Sequence, residues 1–224
     1  MNEGYAPPSL EQSGSLSISG LQNRHRGQTC YIVGKGPSLQ YLRWHHIGPG
    51  FLLVINEAIT HVQTLGLPNQ TYSMQKDGCA TEDQSTIPRP CGTCHEHGWK
   101  RAPVIDPLPG ITVLFSQYIS SWCLHNRPNR YVFTDELLGF AGYPFTMSTL
   151  ESIPLALYLG AEQIVMVSFD SLVNGDDGYV REHYLDDAAL NVAQSNLVWL
   201  RPKVLAMLSR LPHSFLVPTM ERAG

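Results

Sequence analysis

The sequence has no run of apolar residues approaching the ~18 that a membrane-spanning helix needs, which argues against a transmembrane segment. Its first residues lack a basic stretch followed by an apolar core, so no secretory signal is expected and a cytoplasmic location is the default. Charge is also sparse. Charged residues make up 15% of the chain and the net charge is −4, which supplies no general attraction to nucleic acid. Two short basic clusters, Arg24-His25-Arg26 and Arg43-Trp44-His45-His46, stand against that balance and read as solvated loops. The 5 cysteines are an odd number, which argues against a disulfide scaffold in a chain with no secretory signal.

What is present is a globular composition, 43% hydrophobic over 224 residues, enough for one large domain with a buried core. Residues 1–27 are rich in Ser, Gly and Gln and poor in large apolar side chains, so a flexible N-terminal arm is expected there. Beyond it, short β-branched runs alternate with amphipathic stretches. Thr29–Val33, Phe51–Ile55, Thr71–Met74, Ile111–Phe115, Tyr131–Phe133, Ile164–Ser168 and Ser214–Val217 read as strands. Glu57–Leu65, Ser148–Leu159 and Asp187–Leu200 read as helices, with Pro202 starting or kinking a further one to Ser209. Asn56 reads as the N-cap of the first helix and Gly66 as its stop. Continuous apolar strands between helices indicate a doubly wound, mainly parallel α/β sheet of Rossmann-like type over 28–224, with ligands bound beyond the strands' carboxyl ends.

One segment breaks the rhythm. The insert over 78–109 is long, proline-rich and without periodicity. It carries Cys79, Cys91 and Cys94 with His95 and His97, and Cys91-x-x-Cys94 has the bite of a metal ligand pair. A structural Zn²⁺ site of three cysteines and one histidine would give the insert a core; free thiols on a plain loop are the alternative. Cys30, inside the first strand, and Cys123 read as small core residues.

The residues following each strand hold the chemistry. Gly34-Lys35-Gly36-Pro37-Ser38 directly follows the first strand, and its glycines let backbone approach a ligand closely, so exposed N–H groups there would suit a phosphate. The run lacks the Gly-Lys-Ser/Thr ending of a Walker loop, and Pro37 breaks the dinucleotide fingerprint. A plain tight turn is the alternative reading. Asn56, Gln75 and Asp77 end neighbouring strands, and Lys35, Gln75 and Asp77 would line the same cleft. Asp77 and Asp170 are of a type that binds Mg²⁺ or a sugar hydroxyl.

Tyr31–Leu39 resembles the first strand and Gly-x-Gly-Pro-Ser-Leu loop of two related groups: the family 42 bacterial sialyltransferases and the archaeal 6-hydroxymethylpterin pyrophosphokinases. Val54-Ile55-Asn56 is similar to their second strand, whose Asn contacts the donor nucleotide. Thr146–Thr149, Ala156–Ala161 and Ile164–Asp170 are similar to the Thr-Ser-Gly, helix and Gly-x-Asp segment that follows. Thr149 and Ser168 stand where that pattern has glycine.

The resemblance implies a glycosyltransferase that moves a sugar from a nucleotide-activated donor to a hydroxyl acceptor. Gly34–Ser38, Asn56, Ser148 and Thr149 would hold the donor, and His183 by its position would be the general base of a direct displacement. Tyr179 and Tyr184 would donate to the leaving phosphate, and Arg181 would neutralise its charge. The acceptor would be a glycan or, against the net charge, a hydroxylated base in DNA. Two alternatives stay open: transfer of pyrophosphate from ATP to a pterin-like alcohol, with Mg²⁺ on Asp77 and Asp170, and a nucleotide-binding module without chemistry.

Overall fold

Phe51–Ile55 has no polar side chain, and all five residues are buried in a strand. Alternate side chains feed opposite layers, as period-two geometry requires. Phe51, Leu53 and Ile55 enter one core with Leu150, Ile153, Leu200 and Val204, while Leu52 and Val54 enter a second with Ala58, Ile59 and Val62. A strand that must satisfy two apolar layers has no room for polar alternation, which explains its sequence.

The fold is that of a computed structural model, which describes residues 16–75, 107–116, 130–134, 137–139, 148–173 and 199–220. The strands are β1 (Leu16–Ser17), β2 (Gln28–Val33), β3 (Phe51–Ile55), β4 (Gln70–Gln75), β5 (Thr112–Ser116), β6 (Arg130–Phe133), β7 (Ala161–Val167) and β8 (His213–Leu216). The helices are α1 (Ala58–Val62), α2 (Ser148–Tyr158), α3 (Asp170–Val173) and α4, described over 199–208. The strands form one sheet in the order β1-β6-β5-β4-β3-β2-β7-β8, with every neighbouring pair parallel. The expected Rossmann-like architecture is therefore present. From β2 the chain adds β3, β4, β5 and β6 on one side, then crosses back to lay β7 and β8 on the other. The loops leaving β2 and β7 diverge at that reversal, which is where such sheets open a crevice. Among the described residues, no helix is long and apolar enough to cross a membrane.

Two local expectations change. The first helix is shorter than the run Glu57–Leu65: α1 passes into a 3-10 turn at Gln63–Leu65, which ends at Gly66 with φ +62°. Asn56 is not its cap, because the capping position is Glu57 and no side chain bonds there. Of the helix expected over Asp187–Leu200, only 199–200 lie within the described residues; α4 continues through Pro202 to 208.

The expected flexible arm is also corrected at its inner end; residues 1–15 lie outside the described residues. β1 pairs with β6, and Ile18 and Leu21 enter the core. Asn23 and His25 donate backbone bonds to the Tyr158 and Leu159 carbonyls at 2.9 and 2.8 Å, fastening the segment to the end of α2. Two apolar side chains plus satisfied backbone suffice to order it, a pairing that composition does not reveal. His25 is no solvated residue either. Its ring stacks on Phe51 at 4.2 Å between centroids, and Nε2 lies 2.7 Å from the Tyr72 hydroxyl.

Burial pushes the His25 pKa below its ordinary value of 6.5, and the Arg24 charge lowers it further against the raising effect of the Gln28 hydrogen bond. The unfolded chain then binds the proton more tightly than the folded one. This contribution to stability is complete above pH 6.5, is lost as pH falls below that value, and levels off beneath the lowered folded pKa. Urea midpoints measured from about pH 7.5 to 5 are expected to fall in the wild type and to fall less steeply in His25→Gln.

Candidate functional site

The carboxyl edge of the strands, around the reversal between β2 and β7, carries the candidate site. The bend Gly34–Ser38 leaves β2 there and turns into a 3-10 helix at Pro37–Tyr41. Three of its four backbone N–H groups, those of Gly34, Gly36 and Ser38, are already committed. Gly34 N–H donates to the Val167 carbonyl and Gly36 N–H to the Ser168 carbonyl, both at 2.9 Å. The Ser38 N–H donates to Asp170 Oδ1 at 3.2 Å, and its hydroxyl to Oδ2 at 2.8 Å. The expected cradle of bare amides is therefore filled from within, because the Asp170 carboxylate occupies the place an anionic ligand would take at Ser38. The glycines serve this closure. A Cβ on Gly34 would meet the Phe169 ring at 2.9 Å, and one on Gly36 would overlap the Asp170 carboxylate and lie 2.5 Å from the Ser168 carbonyl oxygen.

Asp170 itself is buried, as the first residue of α3, and its oxygens are taken by Ser38. It acts as a latch between β2 and β7. Among the described residues no group of three or more His, Cys, Asp or Glu could hold a metal ion. Asp77, the partner expected for Mg²⁺, lies outside the described residues, as do His183, Tyr179, Tyr184 and Arg181. So do Cys79, Cys91, Cys94, His95 and His97 of the zinc expectation.

Five other candidates, Asn56, Ser148, Thr149, Lys35 and Gln75, are among the described residues. Asn56, directly after β3, adopts φ 47°, a left-handed conformation that Asn tolerates better than most residues. The turn is set by its N–H, which donates to the Met74 carbonyl of β4 at 2.7 Å. Its carboxamide then reaches across to donate to Ser148 Oγ at 3.3 Å, at the start of α2. Ser148 is buried and Thr149 half-buried, with Ser152 Oγ donating to the Thr149 carbonyl at 2.8 Å. Lys35 extends from the bend to pair with Glu57 at 2.6 Å, each side chain only 13% and 17% exposed. Gln75 is buried at the end of β4 and donates to Ser73 Oγ at 3.1 Å.

Three residues on this edge escape a reading from sequence. Glu57 follows Asn56 and looks like an ordinary first-turn acid, yet it sets the position of the Lys35 ammonium. Glu151 is a fully buried acid in the first turn of α2, where the positive end of the helix favours it. Ser168 directly follows β7 with φ 56°, and its buried hydroxyl has no hydrogen-bond partner among the described residues. The one signal for it is that serine stands where the resembled pattern has glycine, the residue that suits this backbone. Ser168→Gly is accordingly expected to stabilise the fold by about 1 kcal/mol, the left-handed strain and the unsatisfied hydroxyl outweighing glycine's added chain entropy. Thermal melts of the two proteins check this, and a lower melting temperature for Ser168→Gly counts against it.

The chain matches no family model and no curated protein sequence to a significant degree. Its fold is similar to solved structures of a sialyltransferase. Sialyltransferase CstII from Campylobacter jejuni, in complex with the substrate analogue cytidine-5'-monophosphate, is 12% identical with a TM-score of 0.44, over 86% of this chain and 80% of that one. The same sialyltransferase with a trisaccharide acceptor and CMP is 12% identical with a TM-score of 0.43, over 86% and 82%. Its complex with CMP-3FNeuAc gives 12% and 0.44 over the same shares. None of these three structures is of a pyrophosphokinase.

Proposed function

We propose that the protein is a glycosyltransferase taking a nucleotide-activated sugar, with the donor seated between β3 and the start of α2. The observation that carries this is the pairing of Asn56 with Ser148: a left-handed residue at a strand's carboxyl end, its carboxamide aimed at a helix start. Strained backbone of this kind persists where surrounding structure holds it, and it clusters at ligand sites.

In this reading the donor phosphate lies against the first turn of α2, whose N–H groups have no acceptor within the helix and whose dipole favours an anion. Ser148 and Thr149 contribute hydroxyls there, and the Asn56 carboxamide bonds the nucleotide. Lys35 neutralises phosphate charge by exchanging its Glu57 partner for the ligand. The bend Gly34–Ser38 is the stiff wall of the crevice rather than a phosphate cradle, and Asp170 is the latch that keeps it so. Gln75 closes the crevice on the β4 side.

The reaction is a direct displacement. The acceptor hydroxyl oxygen forms a bond to the anomeric carbon as the bond from that carbon to the donor phosphate breaks. The phosphate leaves with the electron pair, and the acceptor proton passes to a base. His183 is the candidate base through the resemblance, since a neutral imidazole takes a proton near pH 7. Tyr179 and Tyr184 are candidate donors to the leaving group. A glycan is the favoured acceptor class.

Release of free nucleotide from CMP-, UDP- and GDP-sugars, with and without oligosaccharide acceptors, tests the proposal. One donor is expected to be consumed. Lys35→Ala should weaken its use about 10-fold, the worth of one charge-assisted bond. Consumption of no donor by folded protein overturns it.

A further inference from the structure

An open sheet has an unpaired margin along each outermost strand, and the two margins of this one differ. One belongs to β1, which is only two residues long and so offers little to pair with. The other belongs to β8, which pairs with β7 and with no other strand. The ladder fixes which of its groups face inward. Ile164 N–H donates to the Pro212 carbonyl and Ser168 N–H to the Leu216 carbonyl, both at 3.0 Å. A parallel pair engages alternate residues of each strand, so Pro212, Ser214 and Leu216 face β7. The N–H and C=O groups of His213, Phe215 and Val217 therefore point away from the sheet. Among the described residues nothing pairs with them.

Edges are commonly blunted by charged side chains, by a bulge, or by a proline that removes an outward donor. β8 has none of these. Residues 211–220 contain no Asp, Glu, Lys or Arg. The register against β7 runs without a shift. Pro212 and Pro218 stand at positions that face β7, so neither takes an N–H from the outer side. His213 and Ser214 are exposed, while Phe215, Leu216 and Val217 are half-buried.

We propose that β8 is a homodimer interface, two copies pairing antiparallel about a two-fold axis at Phe215. The outward residues are what favour a second copy over any other strand, because they lie symmetrically about Phe215. That register sets His213 opposite Val217 of the second copy and Phe215 opposite its own equivalent. Three N–H groups from each chain then meet three carbonyls of the other. Phe215 packs at the margin of the core with His213 edge-on to its ring, centroids 5.7 Å apart. In the dimer the two Phe215 rings become cross-strand neighbours, and no like charges are opposed. The inference does not rest on the transferase reading, since it uses none of that site's residues.

Sedimentation equilibrium of the full chain from about 1 to 200 µM tests it, a range that brackets the micromolar dissociation constant expected of so short an interface. Val217→Pro removes an N–H that β7 does not use and leaves the chain's own ladder intact; Leu216 before it is already extended, as proline requires. Symmetry deletes the bond twice, so the dissociation constant should rise at least about 10-fold. Far-UV circular dichroism checks that the variant is folded. Amide hydrogen exchange of the wild type, followed by NMR, supplies a second readout that holds even if the variant is not. The His213, Phe215 and Val217 amides are expected to exchange more slowly as concentration rises, while those of Ser214 and Leu216 stay slow throughout. A monomer at the top of the concentration range overturns the proposal. So does a dimer that folded Val217→Pro leaves unchanged, or one whose concentration-dependent protection falls outside β8.

Discussion

Gly36→Ala is expected to destabilise the protein by about 4 kcal/mol, a large part of the 5–15 kcal/mol that a domain typically has. The reason is space, not torsion. Gly36 sits at φ −68° and ψ 161°, an extended conformation open to any residue. Its added methyl would nevertheless overlap the Asp170 carboxylate and press on the Ser168 carbonyl oxygen at 2.5 Å. The carboxylate can move only by releasing the Ser38 N–H and hydroxyl, both buried. The carbonyl is main chain, one residue past β7, and accepts the Gly36 N–H. Urea unfolding measures the loss, with Gly20→Ala as the control. Nothing lies within 4 Å of a Cβ at Gly20, so that change should stay within about 0.5 kcal/mol. In a double-mutant cycle, Asp170→Ala should absorb part of the Gly36→Ala effect, because one methyl cannot displace a carboxylate that is already absent. A Gly36→Ala protein as stable as wild type would mean that the bend is not latched by Asp170.

The second large effect separates backbone from side chain at Asn56. Asn56→Gly suits φ 47° and deletes the carboxamide that reaches Ser148. It is expected to melt within a few degrees of wild type yet lose about 10-fold or more in donor affinity, as one directed hydrogen bond to a charged ligand contributes about 1.5–3 kcal/mol. Asn56→Ala loses the same bond and also meets the left-handed penalty of about 1–2 kcal/mol, so it should bind as poorly and melt earlier. Calorimetric titration and thermal melts of the two variants together check this. If Asn56→Gly binds the donor as tightly as wild type, the carboxamide has no part in the site.

The centre of the sheet was legible because Phe51–Ile55 and Ile164–Val167 are apolar on both faces, and β3 coincides with Phe51–Ile55 residue for residue. β1, Leu16–Ser17, lies instead in the stretch whose composition reads as a flexible arm. The stop at Gly66 was legible too, since its φ of +62° is the conformation glycine favours. Asn56 shows where local reasoning divides. Asn both caps helices and tolerates left-handed backbone, and the choice was made by the Met74 carbonyl on the neighbouring strand. The closure of the bend was illegible for the same kind of reason. Ser38 and Asp170 are 132 positions apart, and nothing near Gly34–Ser38 announces that three of its amides are taken. Lys35 and Glu57, 22 positions apart, look like independent surface charges until the sheet sets β2 beside β3. Arg24-His25-Arg26 reads as solvent-facing by composition. Its central residue is instead held by Phe51 and Tyr72, both from strands later in the chain.

The central claim is that a nucleotide seats at the carboxyl edge, against Asn56, Ser148 and Lys35. Isothermal titration of CMP, UDP, GDP and ADP into the wild-type chain addresses it most directly. One nucleotide is expected to bind with a dissociation constant in the micromolar range, about −8 kcal/mol, and to do so more weakly in Lys35→Ala. Binding of none of them by folded protein, or binding unchanged by Lys35→Ala and Asn56→Gly alike, would contradict it.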